Sequence, residues 1–193
     1  ELCKEGKLEL NLIPGKPIKL MLAIKAENIE EAFKAVGKPA QCEYKLDGFR
    51  LQCSFDGKEI KLFTRSMENV TKQFPDVVSY LKENVKAKNY ILDSEAVGIN
   101  KEGKYQPFQS ISQRIKRKYD IERMAKEYPV ELNIFDVMYC NNKNIMNEPL
   151  VKRRKILEKM MNEKKGKIVL TKKIVTDDEN KVKKFYDEAL ADG

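Results

Sequence analysis

The segment Cys42–Arg50, CEYKLDGFR, places Glu43, Lys45 and Asp47 at alternate positions in a stretch that otherwise has the pattern of a buried strand. Side chains alternate across a β-strand, so the three charged residues share one face and the residues between them share the other. One face belongs to a core. The charged face is therefore either a solvated sheet surface or a functional site.

Two Asp-Gly pairs predict how the chain continues from this segment. Asp47-Gly48 and Asp56-Gly57 each lie between alternating or apolar runs, which is a strong short-range signal for a β-hairpin. We therefore predict a meander of three antiparallel strands. With a two-residue turn at Asp47-Gly48, Cys42 would lie opposite Cys53 as a reduced packing pair.

The rest of the chain alternates between amphipathic helices and apolar strands. Strands outnumber helices and hairpins precede crossovers, which predicts an α+β domain with mostly antiparallel sheets flanked by helices. We expect helices at 28–36, 75–85, 149–161 and 178–191, a partly helical basic segment at 109–126, and strands at 90–99, 130–139 and 167–175.

Chain length, net charge and composition limit the classes of protein to which the sequence can belong. A chain of 193 residues is long enough for one large domain. A formal net charge of +8 suits a polyanionic partner such as nucleic acid. No apolar run approaches the roughly 20 residues that cross a bilayer, so we place the protein in the cytoplasm, without a membrane partner. With four cysteines outside any CxxC pair and no histidine, no zinc site of the usual kind is expected.

Further charged residues flank the predicted core strands near Lys45. Arg50 follows the first turn, Arg65 ends the next strand, and Asp93 and Glu95 share one face of a later apolar strand. Arginine binds phosphate through two parallel hydrogen bonds, and carboxylates bind a hard cation or a ribose hydroxyl. The set predicts a nucleotide-phosphate pocket, in which Lys45 is either a phosphate-binding charge or a nucleophile. A nucleophilic lysine must lose its proton, which neighbouring arginines and a bound divalent cation favour.

The segment Lys45–Arg50, KLDGFR, resembles the K-x-D-G-x-R signature of covalent nucleotidyltransferases, which are the DNA ligases, RNA ligases and mRNA-capping enzymes. The order of the following segments is similar to the ATP-dependent DNA ligases of the archaeal and eukaryotic replicative type. The resemblance spans about residue 13 to the end of the chain. Its segments are MLAIKAENIEEAF, CEYKLDGFRLQ, FTRSMENVTKQFPDV, YILDSEAV, YQPFQSISQRIKRKYDI and NIFDVMYCNNKNIMNEPLVKRRKILEKM.

This resemblance implies a covalent nucleotidyltransferase fold, ATP-grasp-like, and a role for each matching residue. Lys45 would attack the α-phosphate of ATP and become N6-AMP-lysine, and Asp47 would keep the turn that presents Arg50. The expected nucleotide-binding residues are Glu43 for the adenine, Arg50 and Arg65 for the sugar and phosphates, Glu95 for the ribose or a Mg²⁺ ion, and Phe135 for stacking on the adenine. Where the family has glycine between the acids of its middle motif, this sequence has Ser94, which puts the backbone setting of Glu95 in question.

The resemblance also implies a domain organisation and partners. Residues 1–12 would be the end of a preceding DNA-binding domain or a linker, and 13–193 an adenylation domain that is truncated at its C-terminus. The later motifs and an oligonucleotide-binding domain would be absent, so the chain alone is not expected to complete ligation. The expected partner is nicked double-stranded DNA, bound by a monomer in the nucleoid or, in a eukaryote, the nucleus. Whether a sliding clamp assists is left open.

Several alternatives remain at this point. One is an RNA ligase or an mRNA-capping guanylyltransferase; another is a non-catalytic nucleic-acid-binding module in which Lys45 is structural. Phe135 also fits a core aromatic, and Glu95 a solvated face. The basic cluster 114–118 is a candidate for DNA phosphate contact, and the cluster 152–155 has the pattern of a solvated helix surface.

Overall fold

The computed structural model describes residues 12–117 and 119–192, which form six α-helices, nine β-strands and two short 3-10 helices, Thr71–Gln73 and Phe108–Ser110. The strands are β1 (Ala40–Glu43), β2 (Phe49–Phe55), β3 (Ile60–Thr64), β4 (Tyr90–Ile99), β5 (Tyr105–Gln106), β6 (Val130–Cys140), β7 (Lys143–Asn144), β8 (Ile168–Leu170) and β9 (Lys173–Thr176). The helices are α1 (Ile29–Val36), α2 (Pro75–Asn84), α3 (Ser112–Lys116), α4 (Ile121–Glu127), α5 (Leu150–Met160) and α6 (Glu179–Asp192).

A seven-stranded sheet carries most of the fold. Its central order is β3-β2-β4-β6-β7, with β5 added to β4 and β8 added to β6, and a separate two-stranded sheet consists of β1 and β9. Every pairing is antiparallel except that of β6 with β8. This confirms the α+β prediction with mostly antiparallel sheets.

The core lies on one face of the central strands, against α2 and α5. Leu51 of β2, Leu92 of β4 and Leu132 of β6 are fully buried there, as are Leu81 of α2 and Leu157 of α5. Burial of each such side chain contributes roughly 1.5–3 kcal/mol. The opposite face of β2, β4 and β6 is therefore free to carry the charged residues.

The first predicted hairpin is wrong. Strand β1 pairs with β9 at the far end of the chain, so Cys42 lies opposite Ile174, while Cys53 lies between Leu62 and Leu92. The segment 44–48 is a loop that passes from the two-stranded sheet to the central sheet. Loop 44–48 is not held in the central sheet, because β1 pairs with β9 and not with β2.

The second predicted hairpin is confirmed. Strands β2 and β3 pair in antiparallel register around Asp56-Gly57. Gly57 has φ +96°, a left-handed conformation that glycine adopts without a Cβ clash. The Asp56 carboxylate accepts hydrogen bonds from the amides of Lys58 and Glu59 at 2.8 and 2.9 Å, which closes the turn.

The other predicted elements agree with the structure, with one exception. The four helices and the strands at 90–99 and 130–139 are present within a residue or so of their expected ends, and the segment 109–126 is helical in part. The predicted strand at 167–175 is two strands, because the chain leaves β6 after Leu170 and joins β1 at Lys173.

Within the described residues, no helix combines the length and apolarity that a membrane span requires.

Candidate active site

Loop 44–48 carries Lys45 into a cleft of about 890 Å³ on the polar side of the central sheet. Arg50, Arg65 and Glu95 line the same cleft, and the segment 21–23 lines another part of its wall. The volume lies in the range of roughly 300–1,000 Å³ that small-molecule sites occupy. The structure therefore brings four of the six predicted site residues to one cavity.

Arg50 and Glu95 are direct neighbours across two strands. They are register partners in the antiparallel pairing of β2 with β4, so both side chains point from the same face. The Arg50 guanidinium forms two parallel hydrogen bonds with Asp93, of which the Nε to Oδ1 distance is 2.8 Å. These bonds raise the pKa of Arg50 further above its usual value. Two of its three guanidinium nitrogens bond Asp93, and Nη1 donates to none of the described residues, so it is available for a ligand.

Glu95 is a half-buried carboxylate with its pKa raised to about 7. Burial is the largest cause, because it disfavours the charged form, and the nearby charge of Asp93 adds to it. The positive charges of Lys45 and Arg50 and a hydrogen bond from the Gly48 amide act in the opposite direction. Glu95 is thus close to its midpoint at neutral pH, and a further positive charge in the cleft would ionise it.

Glycine is required at position 48 because the backbone there lies close to the Ala96 carbonyl, and not because the chain makes a turn. A Cβ at this position would overlap the backbone carbonyl of Ala96 and lie 3.1 Å from Glu95 Cγ.

Asp47 anchors loop 44–48, because its carboxylate accepts a hydrogen bond from the Phe108 amide at 3.2 Å. The Arg50 guanidinium is held by Asp93, and the hydrogen bonds of the described residues do not join it to Asp47.

Phe135 lies at a β-bulge in β6. In the pairing with β4, Asp136 lies opposite Asp93 and Ile134 opposite Ser94, so Phe135 is the extra residue between them. A bulge re-aims side chains, and here it places both Phe135 and Asp136 off the core face. The Arg50 guanidinium lies 5.5 Å from the centre of the Phe135 ring.

Glu43 does not line the cleft with Lys45, and neither does Phe135. Glu43 is half-buried at the end of β1, where it accepts hydrogen bonds from Gln41 at 2.8 Å and Arg154 at 3.3 Å. Burial raises the pKa of Glu43, and Arg154 is the largest influence that lowers it. The predicted base-recognising residues thus lie beside the cleft, toward β6 and α5.

Ser94 is accommodated by a hydrogen bond. Its hydroxyl is fully buried and donates to the Leu51 carbonyl of β2 at 2.7 Å. Glu95 pairs in register with Arg50 of β2, while the pairing of β4 with β6 shifts register between Asp93 and Ser94.

Each of the two basic clusters contains one buried arginine. In the first cluster, Arg114 is 1% exposed, binds Asp76 at 2.6 Å and lies 4.4 Å from the Phe74 ring centre, so Arg114 is not available to DNA. Lys116 and Arg117 of the same cluster are exposed. In the second cluster, Arg153 binds Asp136 through two hydrogen bonds of 2.8 Å. Arg154 is only 4% exposed, whereas Lys152 and Lys155 are exposed, so this cluster is solvated only in part.

The site residues that sequence reasoning did not assign are Asp93 and Arg154. Each is the partner of a predicted site residue, Asp93 of Arg50 and Arg154 of Glu43. The sequence contains an indication for Asp93, because it alternates with Glu95 on an apolar strand. It contains no indication for Arg154, which lies among basic residues with the pattern of an exposed helix surface.

The sequence of this chain is similar to a protein-family model and to curated proteins of known name. A family model described as "ATP dependent DNA ligase domain" matches residues 20–193. The chain is 48% identical to a DNA ligase of Nanoarchaeum equitans and 44% identical to a DNA ligase of Methanopyrus kandleri, in each case over 98% of this chain and 34% of the relative. It therefore spans about a third of the length of these curated relatives.

The fold is also similar to solved structures. A structure described as mycobacterial DNA ligase D complexed with ATP and MES aligns with a TM-score of 0.55 and 22% identity, covering 78% of this chain and 44% of that one. The ligase domain of the M. tuberculosis protein LigD aligns equally well, with a TM-score of 0.55. At this identity the similarity supports the fold.

Proposed function

Because this chain belongs to the ATP-dependent DNA ligase domain family, we propose that Lys45 is adenylated by ATP as the first step of DNA ligation. The observation that carries the proposal is the position of Lys45 on loop 44–48, in one cleft with Arg50, Arg65 and Glu95. The alternatives of an RNA ligase or a capping guanylyltransferase are not favoured, since the relatives reported above are described as DNA ligases.

In the proposed reaction Lys45 Nζ attacks the α-phosphorus of ATP. The N–P bond forms as the bond to the oxygen bridging the α- and β-phosphorus breaks, pyrophosphate leaves with the electron pair, and the amine gives its proton to solvent. Arg65 is exposed and forms no ion pair with any other described residue, so its five donors are free for the phosphates. Arg50 offers its remaining donors to the sugar and phosphate region. The product is AMP joined to Lys45 through a phosphoramidate.

Two residues are proposed to hold the base. Phe135 offers an aromatic face for stacking, and Glu43 offers a carboxylate oxygen to the exocyclic amine of adenine. Arg50 connects the two halves of the site, because it lines the cleft and also lies over the Phe135 ring.

Glu95 is the proposed protein ligand of Mg²⁺. The described residues hold no cluster of three or more acidic, cysteine or histidine side chains suited to a metal. A single carboxylate nevertheless fits Mg²⁺, which is usually held by one or two carboxylates together with substrate phosphates and water. When bound, the ion would neutralise charge on the phosphates.

The whole protein is proposed to transfer AMP from Lys45 to the 5′-phosphate at a nick in double-stranded DNA and then to seal the nick. This activity would serve replication, repair and recombination in the cytoplasm, with the enzyme acting as a monomer. A sliding clamp is a candidate further partner. Residues 1–12 are proposed to end a preceding domain and 13–193 to belong to the adenylation domain; the first eleven lie outside the described residues.

Intact mass spectrometry of the protein at its full natural length tests the proposal. Incubation with ATP and Mg²⁺ is expected to add one adenylyl group, and Lys45→Ala should abolish the addition. Glu68→Gln changes an exposed carboxylate in the same cleft and serves as the control that retains it. Absence of an adduct on the wild-type protein would contradict the proposed adenylation of Lys45. Failure to seal nicked DNA would contradict the proposed transfer of AMP to DNA and sealing of the nick.

A further inference from the structure

Arg154 is a buried arginine on α5 that reaches a site residue 111 positions earlier in the chain. Its side chain is 4% exposed, and its guanidinium binds Glu43 at 3.3 Å, Glu158 at 3.3 Å and the Thr171 carbonyl at 2.9 Å. Burial of an arginine is costly unless it is paired and its donors are satisfied. A buried position with three acceptors, which lie on β1, on α5 and in the loop between β8 and β9, indicates a side chain held in one orientation.

The hydrogen bonds to Glu43 leave one of its oxygens available. Gln41 and Arg154 both donate to Oε1, and no described residue donates to Oε2. An ionised carboxylate accepts hydrogen bonds and cannot donate them, whereas a protonated one also donates. The charge state and orientation of Glu43 therefore determine which base edge its free oxygen can bind.

We propose that Arg154 is a positioning residue that holds Glu43 ionised with Oε2 free, and that it thereby sets the preference for ATP over GTP. This rests on the proposed function of Glu43 in binding the base. Adenine presents an exocyclic amine, which donates to a carboxylate, and guanine presents a carbonyl oxygen at the equivalent position, which a carboxylate repels. A protonated Glu43 would instead donate to the guanine carbonyl, so loss of the charge would weaken the discrimination.

The charged and polar groups around Glu43 predict how discrimination between ATP and GTP changes with pH. Arg154 on α5 and Lys173 on β9 lower its pKa, as does the hydrogen bond from Gln41 on β1, while burial and Asp136 on β6 raise it. Glu158 on α5 shares both Arg154 and Lys173. Removal of Arg154 leaves burial and Asp136 less opposed, so Glu43 would be protonated at a higher pH. Discrimination should then be lost first at acidic pH and regained as the pH rises.

Competition between the two nucleotides tests this proposal. The protein at its full natural length is incubated with equal ATP and GTP, and intact mass gives the ratio of AMP to GMP adducts on Lys45 over a range of pH. We expect Arg154→Met to lower the ratio about tenfold or more at acidic pH, since a neighbouring opposite charge shifts a carboxyl pKa by about 1–3 units. Arg154→Lys, which keeps the charge, should restore part of the ratio.

Arg114→Met is the matched control, because Arg114 is equally buried and paired but lies among Asp76, Gln73 and Tyr128. It should lower stability without changing the ratio. A ratio that Arg154→Met leaves unchanged at every pH, or that Arg114→Met changes equally, would overturn the proposal. Failure of the wild-type protein to form any AMP adduct would instead overturn the proposed function.

A second comparison applies where Arg154→Met does not fold. The double variant Arg154→Met with Glu43→Gln removes both charges together, so no unpaired charge is buried. If Arg154 acts through Glu43, the double variant and Glu43→Gln alone should give the same ratio. A lower ratio in the double variant would show that Arg154 acts by another route and would contradict the proposal.

Discussion

Glu95 shows how burial can outweigh charge at a single residue. It lies near two positive side chains, Lys45 and Arg50, which favour its ionised form, yet its pKa is raised to about 7 by burial. A carboxylate near its midpoint responds to small changes in local charge. Binding of a cation in the cleft would therefore ionise Glu95, which couples its charge to occupancy of the cleft.

The titration of Glu95 is directly measurable. With glutamate carboxyl carbons labelled and Glu95 assigned through Glu95→Gln, we expect the resonance to titrate with a midpoint near 7 in the nucleotide-free protein. Lys45→Met should move the midpoint upward, because it removes a positive charge that lowers this pKa. Glu68→Gln should leave it unchanged. A midpoint at the ordinary value for glutamate would contradict the burial of this side chain.

Gly48 is a second residue with a large predicted effect. Gly48→Ala would force a Cβ against the Ala96 carbonyl, so loop 44–48 must shift and carry Lys45 with it. Because misplacement by about 1 Å can cost roughly 100-fold in rate, we expect adduct formation to slow by about that factor. The measurement is the rate of adenylyl addition by intact mass.

Gly103→Ala is the control for Gly48→Ala. Gly103 has φ +78° but no heavy atom within 4 Å of its added Cβ, so the substitution strains a surface turn without disturbing the cleft. Its rate of adduct formation should remain near that of the wild type. Equal rates in the two alanine variants would argue against close approach as the reason for Gly48.

At the level of elements, the bulge in β6 explains how a core strand also serves a site. The strand alternates regularly through Leu132 and Ile134, and the extra residue Phe135 then shifts the register before Val137 returns to the core. Phe135 and Asp136 consequently lie toward Arg50 and Arg153. A regular strand could place only one of these two side chains on the site face.

Arg114 joins α3 to α2 through a buried ion pair with Asp76. We expect Arg114→Met to lower the local stability by about 3 kcal/mol, because it leaves the Asp76 charge without its partner. Hydrogen exchange of the α2 and α3 amides in the full-length protein measures the change. Arg123→Met is the comparison, since Arg123 is 61% exposed with ion pairs of 3.7 Å, and about 0.5 kcal/mol or less is expected.

For the whole molecule, the site lies where two sheets meet. Lys45 is on the loop between β1 and β2, and β1 is held by β9 from the far end of the chain. The proposed base-binding end of the site is joined to α5 through Arg154, and the proposed phosphate-binding end is joined to the central sheet through Arg50 and Asp93. Relative movement of the two sheets would therefore change the distance between Lys45 and the proposed base pocket.

The sequence by itself determined the core strands, the helices and the chemical groups of the site. Hydrophobic periodicity and side-chain chemistry are local properties, so strands 90–99 and 130–139 and the set of Lys45, Arg50 and Glu95 were predictable. The Asp-Gly signal was equally local, and it was correct at Asp56-Gly57, where the φ of Gly57 makes the turn.

Only the tertiary structure decided which distant residues meet. The contacts that it decided join positions between 43 and 136 residues apart. They are the pairing of β1 with β9, the close approach of Gly48 to Ala96, and the ion pairs of Arg50 with Asp93 and of Arg154 with Glu43. Strand partners and ion pairs at these separations are selected by the packing of the complete fold, and a local pattern contains no information about them.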